Sequence, residues 1–293
     1  MDSSIISVVL PVVLAVVMFG LGLSLTVADF ARVLTAPRAV LVTLVCQMIV
    51  LPLIVFGLVV AFGIGPDLAI GMMVLVVSPG GATANVFSHL ARADVALNVT
   101  VTAVNSVLAM ITLPFVVVFS VRFFAGSEAS IGLQLDKLVQ VVAIVLVPVA
   151  LGMLVRWRWP GFAERMERPV RIAAVVAVFL AIIAAILQQL DQFLDGLVAI
   201  GLLCLLVSVL SLTVGYTVPR LARIDHRQAV AAAMEIGIHN AVLAITVLVT
   251  VLDNPAAALA PAMYGVLMYI PAAIFVRLVM RGRVPTGTPI HRS

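Results

Sequence analysis

Two short stretches hold nearly all the residues that could do chemistry in this chain. Glu235-Ile-Gly-Ile-His-Asn240 brings a carboxylate, an imidazole and an amide together. Ser78-Pro-Gly-Gly-Ala-Thr-Ala-Asn85 brings a hydroxyl and an amide just after Pro79, Gly80 and Gly81, all poor helix formers. Each stretch lies inside an apolar run long enough to cross a bilayer. Carboxylate, amide, hydroxyl and backbone carbonyl oxygens are the ligands that hard cations such as Na⁺ prefer. Glu235 is the only acidic residue deep inside any run, eight residues past Arg227 and so about 12 Å in. No Lys or Arg stands at comparable depth. A carboxylate there must be protonated or hold a cation, because an unpaired charge at that depth costs at least a few kcal/mol.

The other deep polar residues are mostly oxygen donors: Gln47, Thr83, Asn85, Asn98, Thr100, Thr102, Asn105, Ser106, His239 and Asn240. Asn98 and Thr102 are four apart and share a helix face. Thr100 and Ser106 are expected to bond back to the preceding turn. Each Asn, taken alone, is equally well accounted for by packing between helices. Glu235 and His239 are also four apart, but the His-Glu-x-x-His pattern of a metalloprotease is absent, and Gly237 is expected to interrupt the helix between them. Ser78 has no base beside it in the manner of a nucleophile elbow. No catalytic residue is expected, nor any metal beyond Na⁺.

The elements that must position these residues are membrane spans. The 293 residues are 64% hydrophobic and 10% charged, with a mean hydropathy of +1.28. A soluble domain is about 45–50% apolar and about 25% charged. The expected fold is an all-α polytopic membrane protein, since strands of a β-barrel would alternate apolar and polar residues. Apolar runs of spanning length fall near 5–25, 38–61, 67–91, 95–119, 136–156, 169–189, 196–219, 226–252 and 258–280, giving nine transmembrane helices in one domain over 1–293. The first run is not expected to be a secretory signal, as no basic segment precedes it. Gly20, Gly22, Gly152, Gly201 and Gly215 are expected at helix contacts, and Trp157 and Trp159 at the membrane interface. Cys46 and Cys204 read as buried thiols.

With nine spans, 15 of the 17 Lys and Arg residues fall on one side; Arg122 and Lys137 alone fall on the other. The positive-inside rule then puts the N-terminus outside and the C-terminus in the cytoplasm. The net charge of +4 is a topology signal and not a nucleic-acid one.

A helix broken in mid-membrane needs partners for its freed backbone groups, so it survives only inside protein or beside a polar cavity. Spans three and eight each carry a Gly-containing interruption followed by an Asn (Asn85, Asn240), and they run in opposite directions. They form an inverted repeat that pairs spans one to four with six to nine, the pattern of secondary transporters with broken helices at the substrate site. A side chain at Gly80 or Gly81 is expected to fill the space between the two breaks.

Met18-Phe-Gly-Leu-Gly-Leu-Ser-Leu25, the Pro79-Gly80-Gly81 stretch, Leu90-Ala-Arg-Ala-Asp-Val-Ala-Leu-Asn98 and Glu235-Ile-Gly-Ile-His-Asn240 resemble signature segments of the bile acid:sodium symporter family, in family order over residues 5–280. The resemblance implies a panel domain and a core domain whose two broken helices cross, in the nine-span form. It also implies cotransport of Na⁺ with an organic anion, from bile acids to small carboxylates. A first sodium site is implied at Asn85, Thr102 and Glu235, with Asn98 where a Ser is common. A second is implied at Gln47, Glu235 and the backbone around Ile236 and Ile238. His239 stands where relatives carry Gln, and a neutral imidazole binds Na⁺ poorly. Ala84 stands where many relatives carry Ser. Substrate contacts are expected from Thr83, His239 and Asn240.

The leading expectation is a sodium-coupled organic-anion symporter in the cell inner membrane, working by alternating access as a monomer or weak oligomer. Its partners are the lipid bilayer and the organic anion, without nucleic acid or organic cofactor. Three alternatives stand beside it: proton coupling through Glu235 and His239, a membrane-embedded enzyme, and a receptor that binds without flux.

Overall fold

The computed structural model describes residues 11–281 apart from 13, 17, 21, 24, 27–30, 127–134 and 189. Part of the first expected span, Leu21 and Ser24 of the Met18–Leu25 segment, and the tail from 282 lie outside the described residues. All regular structure among the described residues is helical, with one isolated β-bridge.

From Pro37 onward the helices are α1 (Pro37–Val45), continued through a π-helical turn at Cys46–Val50 into α2 (Leu51–Phe62), then α3 (Pro66–Val76), α4 (Ala82–Leu90) and α5 (Val95–Phe124). They continue as α6 (Leu135–Arg158), α7 (Pro160–Gln188), α8 (Leu190–Leu221), α9 (His226–Gly237), α10 (Ala241–Thr246), α11 (Leu259–Leu267) and α12 (Tyr269–Arg281). A second π-helical turn, Val247–Val251, extends α10.

Three stretches, Pro37–Phe62, Ile200–Leu221 and Leu259–Arg281, are long and apolar enough to cross a membrane. A fourth, Val95–Ala109 with Ile111–Phe124, qualifies if its two parts, bent by 55°, count as one span. The outward side chains Leu41, Leu53, Phe115, Leu151 and Leu180 are large, apolar and exposed, a surface suited to lipid rather than water. Trp157 and Trp159 are also exposed, 77% and 56%, at the junction of α6 and α7.

The broken segments are shielded from that surface. Every residue of α3 from Ala69 to Val76 is buried, and so is every residue of α9 from Ala229 to Gly237. A helix that is apolar on all sides belongs inside protein. α9 is packed by α8, α5, α4 and α1. Small residues allow this close approach. Gly22 and Gly152 stand against each other, each leaving no room for a Cβ, and Gly215 stands against Ala232 and Ala233. These three glycines lie at helix contacts, as their place in the sequence predicts.

The structure places the first interruption where the sequence predicts it and shifts the second. α3 ends at Val76 and α4 begins at Ala82, so Pro79, Gly80 and Gly81 lie in an extended segment between them. α9 includes Gly237 as its last residue, and the second break is Ile238–Asn240. Gly237 packs with its missing side chain toward Leu212, so its role is to let α8 come close.

Candidate functional site

The two breaks meet. Gly80 and His239 form an antiparallel bridge, in which Gly81 N–H donates to the Ile238 carbonyl and Asn240 N–H to the Pro79 carbonyl, both at 3.0 Å. Each interruption thus supplies partners for the backbone groups freed by the other, which is what a broken helix at membrane depth requires.

Three side chains complete that satisfaction. Gly80 N–H donates to Glu235 Oε1 at 3.0 Å. The Gln47 amide NH₂ lies 3.2 Å from both the Val76 and the Ser78 carbonyls. The Tyr264 hydroxyl donates to the Gly237 carbonyl at 3.1 Å. Gln47 reaches inward from the π-helical turn. Pro52 has no N–H to return to the preceding turn, and Leu51 N–H bonds Cys46 five residues back.

Glu235 is wholly buried. Its Oε2 accepts from the Thr102 hydroxyl at 2.5 Å, and no Lys or Arg nitrogen pairs with it among the described residues. Thr102 and Asn105 are three apart on α5 and present one face to the carboxylate. The oxygen of the Asn105 amide has no hydrogen-bond partner, although the residue is fully buried. The Asn85 and Gln47 amide oxygens are likewise buried without partners. Buried amides are normally satisfied, and an orphaned oxygen costs about 1–3 kcal/mol. These three amide oxygens, on the helices around the two breaks, are of the type that suits a hard cation.

Asn98 is differently employed. Its NH₂ donates to Ser88 Oγ and lies 3.4 Å from both the Ala84 and the Ala231 carbonyls, so it ties α4, α5 and α9 together. Its oxygen lies 3.3 Å from the Thr102 hydroxyl, one step from Glu235. Thr100 and Ser106 bond back to Ala96 and Thr102 at 2.9 and 2.7 Å. Ser78 does the same to Leu75 at 2.6 Å, so its hydroxyl is occupied.

His239 is itself the bridge partner of Gly80. Its Nδ1 is 3.3 Å from the Gln47 amide nitrogen and 3.4 Å from the Ser78 carbonyl, and its buried Nε2 has no partner. The structure brings Gln47 to His239 and Thr102 to Glu235; Ile236 is buried beside Glu235 on α9, and the Ile238 carbonyl is engaged by the bridge. Asn240 caps α10, its side-chain oxygen accepting from Leu243 N–H at 3.0 Å. Thr83 opens α4 and is bonded by the Tyr269 hydroxyl at 3.3 Å, with the Tyr269 ring stacked on Phe87.

The sequence presents Gly80 and Gly81 alike, and the structure separates them. A Cβ on Gly80 would overlap the Glu235 carboxylate. A Cβ on Gly81 would sit 3.4 Å from Thr83 Oγ1 and 3.5 Å from the His239 carbonyl, in ordinary contact. Tyr264 and Tyr269 carry no signal in the sequence beyond being aromatics in an apolar run. Asn105 is visible there as a deep amide, three residues from Thr102, but nothing in its spacing sets it apart from Asn98.

All-α structure among the described residues, lipid-suited surfaces and a crossing of two interrupted helices are the features expected of an integral membrane transporter. The Sodium Bile acid symporter family model matches residues 11–196, and the chain belongs to that family. It is 28% identical over 275 residues to an uncharacterized sodium-dependent transporter, YocS, of Bacillus subtilis, covering 92% of this chain and 79% of that one. It is 27% identical over 246 residues to the human ileal sodium/bile acid cotransporter, covering 84% and 70%. A sodium-dependent organic anion transporter of Bos taurus is 21% identical over 246 residues, covering 83% and 64%. The family and these relatives are transporters, not enzymes.

Proposed function

We propose that the protein is a secondary active transporter that couples the movement of Na⁺ to that of an organic anion by alternating access. The observation that carries this reading is the buried Glu235 carboxylate, held by Gly80 N–H and Thr102 with no basic partner among the described residues, in a core that also leaves the Gln47, Asn85 and Asn105 amide oxygens without partners. A protonated acid would need one acceptor; this site offers a surplus of them. Sodium as cargo would be held by Glu235, Thr102 and Asn85 on one side of the bridge, with Asn98 orienting Thr102 and Asn105 adding an oxygen. A second ion would use Gln47, Glu235 and the backbone around Ile236 and Ile238, with His239 beside it.

The start of α4, where Thr83 lies, carries the partial positive charge of a helix N-terminus and suits an anionic group. Thr83, His239 and Asn240 would meet the substrate there, and Tyr269 would flank it. Sodium in the names of all three relatives, and a bile acid and an organic anion in the names of two, support the same pairing. Uptake measured with Na⁺ replaced by choline at constant pH is the test. Sodium coupling requires uptake to collapse. Uptake that persists and follows a pH gradient would favour proton coupling instead.

The reading includes nine spans with the N-terminus outside. Gly65 and Gly161 both face open space, so a cysteine at either position is tolerated. Gly65→Cys is expected to react with an impermeant thiol reagent from outside, and Gly161→Cys only after the membrane is opened. The reverse pattern would overturn the orientation.

A further inference from the structure

The left-handed backbone residues reveal a second relation between the broken helices. Among the described residues, and apart from Gly126, they are Gly63 (φ 59°), Arg92 (φ 52°), Arg223 (φ 57°) and Asp253 (φ 53°). Gly63 and Arg223 each stand three residues before a first half-helix, α3 at Pro66 and α9 at His226. Arg92 and Asp253 follow the second half-helices, the latter through its π-helical extension. Non-Gly residues in this region are uncommon, and it costs a side chain strain. Their recurrence at matching points of the two hairpins marks a shared backbone plan.

The plan places matching polar ties at the two ends of the crossed pair. Asp67, four residues after Gly63, accepts from the Asn254 Nδ2 at 2.8 Å. Asn254 stands directly after Asp253, and its Oδ1 also caps Ala257 N–H at 3.0 Å. At the other end Arg227, four residues after Arg223, donates from Nε to the Arg92 carbonyl at 3.3 Å. Asp94 N–H donates to the Arg227 carbonyl at 3.1 Å, and Asp94 Oδ1 caps Leu97 N–H at 3.1 Å. In both cases the entry turn of one broken helix is fastened to the exit loop of the other, beside a capping Asn or Asp.

We infer that Asp67 with Asn254, and Arg227 with the Arg92–Asp94 loop, are positioning residues for the cation site. Between these ends, among the described residues, the two helices are joined by backbone only through the bridge at Gly80 and His239. Glu235 is on α9 and its N–H donor Gly80 follows α3, so axial slip between the helices shifts the carboxylate against its donors. The end ties fix that register. This inference rests on the reading that the crossing holds Na⁺.

The Asp67–Asn254 tie can be tested without disturbing the cap. Asn254→Asp keeps the capping oxygen but sets two carboxylates against each other, and adding Asp67→Asn restores an amide–carboxylate pair in reverse. Sodium-dependent uptake is measured as the half-saturating Na⁺ concentration and the maximal rate per inserted protein. Asn254→Asp is expected to raise half-saturating Na⁺ about three- to tenfold with the maximal rate largely kept. The reciprocal double variant is expected to return it to within about twofold of wild type. Asp67→Ala, at an exposed position, should produce a smaller rise in the same direction, and it serves if Asn254→Asp fails to insert. A purely structural role would lower the amount of inserted protein and leave the half-saturating concentration unchanged. Unchanged sodium dependence in inserted Asn254→Asp or Asp67→Ala would overturn the inference, as would a double variant no better than Asn254→Asp. Sodium-independent uptake by the wild type would instead overturn the sodium reading beneath it.

Discussion

Glu235→Gln is expected to insert and fold, and to lose sodium-stimulated uptake. The replacement is isosteric and its amide can be accommodated. Its oxygen can accept from Gly80 N–H, as Oε1 does at 3.0 Å, and its NH₂ can donate to the Thr102 hydroxyl, which now donates to Oε2 at 2.5 Å. What is removed is the carboxylate, the only buried acid among the described residues. The orphaned amide oxygens of Asn85, Asn105 and Gln47 would remain, but without the charge of the carboxylate they hold a cation far less strongly. The expected loss of apparent sodium affinity is on the order of 100-fold, about 2.8 kcal/mol. The check is uptake over a Na⁺ titration, beside measurement of membrane-inserted protein. Full sodium stimulation in the variant would show that the carboxylate is not the coupling ligand.

Gly80→Ala is expected to be nearly as damaging, although it adds one methyl group. That methyl would occupy the place of the Glu235 carboxylate, so either the bridge opens or the carboxylate leaves Gly80 N–H and Thr102. Overpacking a tight interior costs about 1–3 kcal/mol, which converts to about a 5- to 150-fold loss of uptake at low Na⁺. Gly81→Ala is the internal control. Its new Cβ has ordinary contacts, and the residue already has an extended conformation at φ −83°, so uptake should stay within about twofold of wild type. Equal activity of both variants would mean that the close approach at Gly80 does not position the carboxylate.

The first broken helix is legible in the sequence because Pro79, Gly80 and Gly81 together cannot continue a helix through the middle of an apolar run. Glu235 is legible because a lone deep acid demands a partner. Thr102 and Asn98 follow from helical spacing. The residues that satisfy the breaks do not follow in the same way. Gln47 is inward-facing because of a π-helical turn ahead of Pro52, a register change that residue counting misses. Tyr264 reaches the Gly237 carbonyl from a helix that is distant in sequence. Gly80 and Gly81 look equivalent in the sequence, and only the approach of Glu235 distinguishes them. Gly237, which looks like the second interruption, ends its helix one residue before it. The end ties at Asp67 and Arg227 are hidden because their partners lie in loops after the opposite hairpin, joined by folding rather than by spacing.

The central claim, that Glu235 holds sodium at the crossing, is tested most directly by equilibrium binding of Na⁺ to the purified protein without substrate or gradient, titrated against choline at constant ionic strength. The expected result is saturable sodium binding by the wild type that Glu235→Gln lacks. No saturable binding by the wild type, or equal binding by the variant, would contradict it.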